Sequence, residues 1–162
     1  MASYRLRFQA PANWASQYVR IEFEAVNHTS HVFLNGKPVG EHVGKGYTAF
    51  TLNLSSQLKC GGENILLVRV HNRPGDRMLP RNKSYDWTDN GGIIRPVSLL
   101  VTAQTFIERV EIDAVPNLSG VSAQVRIRAT VPYAGSQTSK ASIQASMRRG
   151  GELGRSFTYG TA

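Results

Sequence analysis

A single cysteine, Cys60, stands among 162 residues. One thiol excludes an internal disulfide framework and cannot by itself build a cysteine-rich zinc site; beside Gly61 it reads as a loop thiol. No apolar run approaches the ~20 residues that cross a bilayer, so no membrane partner is expected. The opening Met-Ala-Ser-Tyr-Arg-Leu-Arg-Phe alternates polar and apolar residues and lacks the apolar block of a secretory signal, which tilts the expected location toward the cytoplasm. No helical i, i+3, i+4 stripe of useful length occurs. Neither a Gly-x-Ser-x-Gly elbow nor a phosphate-cradling glycine-rich loop is present, so nucleophilic and nucleotide chemistry have no support and no cofactor is expected.

Acidic residues are the minority, 11 against 19 Lys and Arg, for a formal charge of +8. Such an excess favours anionic partners. The charges are dispersed, however. Arg5, Arg7, Arg20, Arg69, Arg126 and Arg128 fall inside alternating segments and read as outward, solvated positions. The densest group is Arg73, Arg77, Arg81 and Lys83, suited to an acidic sugar or a nucleic acid. None of the usual nucleic-acid recognition motifs accompanies it, so no nucleic-acid partner is expected. A fragment of a larger, more acidic protein would also look this basic.

What the sequence has in quantity is period-two alternation, the mark of strands with one buried face. Tyr4, Leu6 and Phe8 alternate with Arg5, Arg7 and Gln9. Pro11 and Asn13 break this strand, and Trp14 is expected to pack back on the body. Residues 18–26 resume the pattern, with Val19, Ile21, Phe23 and Ala25 on one face. Asn35-Gly36 predicts a tight hairpin, because both central positions of a type I′ turn need positive φ, and Pro38 confines the return strand to an edge or bulge. Residues 47–54 alternate again, 59–64 form a turn cluster, and 65–70 suggest a more central strand. Residues 97–101 close the first unit. Beyond residue 106, segments 106–115, 123–131, 141–147 and 157–159 predict strands of a second β-sandwich, with 147–154 a solvated turn. Only 58 residues remain from Thr105 onward, short of the ~100 of a complete sandwich.

Residues 73–90 have no period and contain Pro74, Gly75 and Pro80, predicting a long loop of the kind that is functional or disordered. Asp86 and Asp89 bracket Trp87, with Tyr85 before and Asn90-Gly91-Gly92 after. A planar aromatic beside acceptor-only carboxylates is the inventory of a carbohydrate subsite. A surface loop with one buried Trp has the same composition, so both readings stay open. Glycosidase acid/base pairs need carboxyls roughly 5 to 9.5 Å apart flanking a bond; two side chains from one short segment are poorly disposed for that, and no catalytic residue is assigned. His28, His31 and His42 with Glu41 carry metal-ligating groups, with His31 and His42 flanking the hairpin where they could face each other. Their spacing defines no site, and no metal is expected.

The ordered succession Tyr-Arg-Leu-Arg-Phe, Val-Arg-Ile-Glu-Phe-Glu-Ala-Val, Val-Phe-Leu-Asn-Gly-Lys-Pro-Val-Gly-Glu-His, Gly-Tyr-Thr-Ala-Phe and Gly-Glu-Asn-Ile-Leu-Leu-Val-Arg-Val resembles the N-terminal jelly-roll domain of family 2 glycoside hydrolases. The match continues through Asp86-Trp87 and Gly92-Ile-Ile-Arg-Pro-Val and covers roughly residues 4–101. From Thr105 the chain resembles the start of the immunoglobulin-like domain that follows in β-galactosidases, β-glucuronidases and β-mannosidases. The resemblance implies an all-β chain: a jelly-roll, galactose-binding-like β-sandwich over 1–103 without its N-terminal strands, then a partial immunoglobulin-like β-sandwich over 104–162. The (β/α)₈ barrel with two catalytic glutamates is not among these residues. What is implied is therefore a non-catalytic accessory region, with a β-linked glycoside and the barrel of the same enzyme as partners. By position, Asp86 is the residue that contacts sugar hydroxyls, while Trp87, Asp89 and Asn90 shape the pocket rim and Arg95 pins the loop. A free-standing carbohydrate-binding module using Trp87 and Tyr85, and a structural interaction domain whose open sheet edges are covered by other chains or by a homo-oligomer, are the alternatives.

Overall fold

The computed structural model describes residues 1–73, 91–120, 122–135, 140–149 and 152–160. The chain is all-β and divides into two compact units, Met1–Ala103 and Gln104–Ala162. In the first unit the strands are Ala2–Gln9 (β1), Tyr18–Phe23 (β2), Val26–Asn27 (β3), Thr29–Leu34 (β4), Lys37–His42 (β5), Phe50–Asn53 (β6), Glu63–His71 (β7), Gly92–Ile93 (β8) and Val97–Thr102 (β9). They form a four-stranded sheet β1-β7-β4-β5, a three-stranded sheet β6-β2-β9 and the short pair β3-β8.

The two larger sheets make a β-sandwich because each alternates. On β2, Val19, Ile21 and Phe23 are buried, and on β7 so are Leu66, Val68 and Val70; with Val32 and Leu34 of β4, Val26 and Leu54 they form one core cluster. Each fully buried side chain of this kind contributes about 1.5–3 kcal/mol relative to exposure. Trp14 packs on the core from a short 3-10 turn at Ala12–Ser16. The central position of the 65–70 segment follows from its pairing with β1 on one side and β4 on the other.

The Asn35-Gly36 hairpin forms as the residues require. Asn35 has φ 53° and Gly36 φ 82°, the pair of positive angles a type I′ turn needs. Pro38 lies on β5, at the sheet edge beside a register shift between Val32 and Phe33. The Asn35 amide also ties the turn to the neighbouring loop, donating to Gln57 O and to Asn64 Oδ1, both at 2.9 Å, while its Oδ1 accepts from Ile65 N at 3.0 Å. Asn64 is fully buried. Its Oδ1 also accepts from Lys59 N at 2.9 Å, and its Nδ2 donates to Lys59 O at 2.9 Å and Gly62 O at 3.0 Å.

Several expectations are corrected. The second strand stops at Phe23, and Val26 instead pairs with Ile93 across the β3-β8 ladder. The alternating segment 47–54 is strand only over Phe50–Asn53. Strand β1 does not have a fully buried face: Leu6 is 58% and Tyr4 39% exposed. His31 and His42 do not face each other. His31 stands opposite Glu41, with Nδ1 and Oε2 3.2 Å apart, whereas His42 stands opposite Ser30; adjacent strand positions point to opposite faces.

Among the described residues the second unit contains two antiparallel strand pairs, Arg109–Pro116 (β10) with Ala123–Thr130 (β11), and Ser142–Arg149 (β12) with Glu152–Gly160 (β13). The 147–154 turn is therefore largely strand, and the last strand is longer than the segment 157–159. On β10-β11 one face is apolar, where Ile112 stands opposite Ile127, and the other is charged, where Glu111 lies 2.6 Å from Arg109 and 2.7 Å from Arg128.

Candidate functional site

The four predicted sugar-site residues, Asp86, Trp87, Asp89 and Asn90, lie outside the described residues, as does the whole of 74–90. The described residues fix where that segment leaves and rejoins the fold. It leaves after β7, whose last residue, His71, pairs with Thr29, and His28 N donates to His71 O at 3.2 Å. It returns into β8, where Gly92 pairs with Asn27. Both ends are therefore held against one short stretch, Asn27 to Thr29.

That stretch is unusual in composition for its burial. Asn27, His28, Thr29 and Ser30 follow one another and are exposed by no more than 5%, although polar groups removed from water require partners. The Asn27–His28 peptide is cis. Thr29 Oγ1 accepts from Gly44 N at 3.1 Å. Among the described residues, His28 Nδ1, Ser30 Oγ and His71 Nδ1 are buried and have no hydrogen-bond partner. Each is a single buried atom rather than part of one cluster: Ser30, paired with the core residue Val70, and His71, paired with Thr29, lie on opposite faces of the sheet. The buried Asn27–Ser30 stretch is the polar floor on which both ends of the 74–90 segment are held.

Glycines frame this floor. A methyl at Gly46 would stand 2.6 Å from His28 Cδ2 and 2.7 Å from Asn27 Oδ1, so the 43–49 loop lies directly on the pair. A methyl at Gly91 would stand 2.6 Å from Asn72 Nδ2, and one at Gly92, whose φ is +119°, would overlap the Tyr4 hydroxyl. Gly-Gly is thus required both by angle and by space where the segment rejoins the sheet.

The 43–49 loop is held in turn by His42. Its ring stacks on Phe50 at 4.1 Å, and Phe50 stacks on Phe23 at 4.9 Å. His42 Nε2 lies 3.0 Å from Thr48 Oγ1 and 3.2 Å from Lys45 O. Burial pushes the His42 imidazole below its ordinary range, the Lys45 carbonyl opposes this, and the Lys45 charge adds to it. Among the described residues no group of three or more His, Cys, Asp and Glu side chains is arranged to hold a metal ion.

The floor was not foreseen from sequence, because Asn-His-Thr-Ser reads as a polar connection. One available signal was its place between two apolar strand segments with no glycine or proline.

The described geometry is that of a β-sandwich that holds both ends of one long connection on a buried polar stretch. Residues 1–103 match the family description "Glycosyl hydrolases family 2, sugar binding domain". The chain is 33% identical over 141 residues to a β-galactosidase of Thermoanaerobacter pseudethanolicus, which covers 86% of this chain and 18% of that protein. It is 32% identical over 111 residues to a β-glucuronidase of Bacteroides fragilis, covering 68% of this chain and 16% of that protein. The solved structure of a Bacteroides uniformis β-glucuronidase superposes with a TM-score of 0.82 at 27% identity, over 98% of this chain and 19% of that one. The chain belongs to glycosyl hydrolase family 2 and carries its sugar-binding domain, an accessory region spanning less than a fifth of the length of these relatives.

Proposed function

We propose that this chain supplies part of the sugar subsite of a family 2 β-glycosidase, with Asp86 accepting hydroxyl hydrogen bonds at the non-reducing end and Trp87, Asp89 and Asn90 forming the rim. The observation that carries this reading is the anchoring of both ends of the 74–90 segment on the buried Asn27–Thr29 stretch, through the His71–Thr29 and Gly92–Asn27 pairs. A carboxylate accepts only, and sugar hydroxyls donate to it without a cofactor. Hydrolysis would come from two glutamates of a (β/α)₈ barrel, by the retaining route. The glycoside would be β-linked, a galactoside or a glucuronide by the names of the relatives.

Residues 104–162 are, in the same reading, strands of an immunoglobulin-like sandwich. Its support is the apolar face of β10-β11, where Val110, Ile112, Val125 and Ile127 are 37–68% exposed, as in half of a sandwich.

The test is Asp86→Ala in a barrel-containing enzyme that includes this sequence. Loss of a hydrogen bond to a charged group, about 1.5–3 kcal/mol, should lower kcat/KM by roughly ten- to a hundredfold. Unchanged kcat/KM removes Asp86 from the subsite. Titration of the 162-residue chain alone with glycans should give no binding at millimolar concentration; tight binding lost in Trp87→Ala would instead favour an autonomous carbohydrate-binding module.

A further inference from the structure

The outward face of the four-stranded sheet in Met1–Ala103 carries a groove of about 550 Å³, a volume typical of small-molecule sites. Strand alternation builds it. Leu66, Val68 and Val70 of β7 belong to the core, so Ile65 and Leu67 face the other way; both are half-buried and form the floor. Arg5 of β1 stands opposite Leu67 and makes one wall. The Asn35-Gly36 turn makes the other, and it is fixed there: Asn35 bonds to both the N–H and the carbonyl of Ile65, and its amide donates to Gln57 O and Asn64 Oδ1. Lys59 and Glu63 lie at the end where β7 begins. The next apolar residue of this face is covered by the chain itself, since Phe33, opposite Leu67 on β4, has the Arg69 guanidinium 5.4 Å from its ring centroid. Arg5 is not used in that way. It is exposed and, among the described residues, has neither an ion-pair partner nor an aromatic ring to lie on.

We infer that this groove binds a small organic anion, a carboxylate joined to an aromatic or alicyclic body, with the carboxylate on Arg5 and the body on Ile65 and Leu67. The sign of the ligand's charge follows from the walls. Lys59 and Glu63 share one end and offset each other, which leaves the charge of Arg5, with Arg7 at the next outward position of β1 opposite Ile65. A guanidinium is a planar fork whose donors match the two oxygens of a carboxylate, and the aliphatic floor takes an apolar body beside it. Size argues against a protein partner: a stable protein interface uses about 20–30 residues a side, and seven line this groove. The groove is also remote from the 74–90 segment. His71, where that segment departs, stands at the other end of β7 from Ile65, about 20 Å along the strand.

The probe is naphthylacetate, with naphthylacetamide as its uncharged counterpart, titrated into the 162-residue chain with isotope-labelled isoleucine and leucine methyl groups. Methyl chemical shifts are the readout, and no sugar is present, so the result is independent of the sugar subsite. Saturable shifts at the Ile65 and Leu67 methyls are expected, with the amide weaker by about threefold to fivefold, the effect of one exposed ion pair. Added salt should shrink that difference. Arg5→Gln should bring the acid down to the affinity of the amide and leave the amide unchanged, and Leu67→Asn should weaken both, with the urea midpoint of each variant showing that it is folded. Equal affinity for acid and amide in the parent chain, a difference that survives Arg5→Gln, or no saturation at millimolar concentration would each overturn the inference. Shifts confined to methyls outside the groove would overturn it too. So would a dimer in sedimentation that Leu67→Asn dissociates, since a second copy of the chain would then be the occupant.

Discussion

Replacing Asn64 with alanine tests whether the hairpin and the 57–65 loop are held together by one side chain. The Asn64 amide is fully buried and makes four hydrogen bonds of 2.9–3.0 Å, to Asn35 Nδ2, Lys59 N, Lys59 O and Gly62 O. Each bond contributes about 0.5–1.5 kcal/mol net, and more where its removal strands a buried group. Asn35 Nδ2 keeps its bond to Gln57 O, and Lys59 O and Gly62 O keep bonds from Gly62 N and Ala10 N, but Lys59 N loses its Asn64 bond and the buried side-chain network is gone. The expected cost is therefore about 3–5 kcal/mol, a large part of the 5–15 kcal/mol typical of a domain. With a urea dependence of roughly 1.5 kcal/mol per molar, the midpoint should fall by roughly 2–3 M. Asn64→Asp provides a companion measurement. It keeps the two acceptor bonds but turns a carboxylate oxygen toward two carbonyls, so its folded-state pKa should rise. A group with a raised pKa contributes stability below its unfolded pKa and loses it as pH rises through the folded value; the Asp variant should recover on acidification toward pH 4, and the alanine variant should not. A midpoint shift below about 0.5 M for Asn64→Ala would refute the reasoning, because it would mean that water replaces the network at little cost.

Gly46→Ala should destabilise by about 1–3 kcal/mol, since its methyl would collide with His28 and Asn27, both buried; an unchanged urea midpoint would show that the 43–49 loop shifts freely away. His42 has its folded-state pKa lowered by burial. Its contribution is fully present above the unfolded value of about 6.5 and is lost as pH falls below it, because the unfolded chain takes up the proton first. His42→Phe keeps a ring against Phe50 and removes the titration, so the drop in urea midpoint between pH 7.5 and 5.5 should be smaller than in the parent chain; equal drops would show that His42 does not govern it.

Strands were legible where alternation was complete. Val19, Ile21 and Phe23 announced β2, and Leu66, Val68 and Val70 announced β7, because local patterning and burial agree there. The Asn35-Gly36 turn was legible for the same kind of reason, its backbone angles being open to few residue pairs. Three features were not. Asn64 sits in a Gly-Gly-Glu-Asn run and reads as a turn residue; its burial depends on Asn35, 29 residues away. The two-residue β8 is too short to carry a period. The polar floor at Asn27–Ser30 is buried by tertiary packing against Gly46 and β7, which hydrophobicity does not encode. Of the candidate site, the sequence supplied the residues of the 74–90 segment by resemblance, and the fold supplied its anchoring points.

Those anchoring points make the connection a module. Because His71–Thr29 and Gly92–Asn27 fix its ends on the same stretch, the closure entropy of the connection depends weakly on its length: each doubling of a closed loop adds only about 0.6 kcal/mol. Segments of different length should therefore be exchangeable between Asn72 and Gly91 at little cost in closure entropy. Under the proposed function, exchanging this one segment would be the way to refit the scaffold for a different sugar.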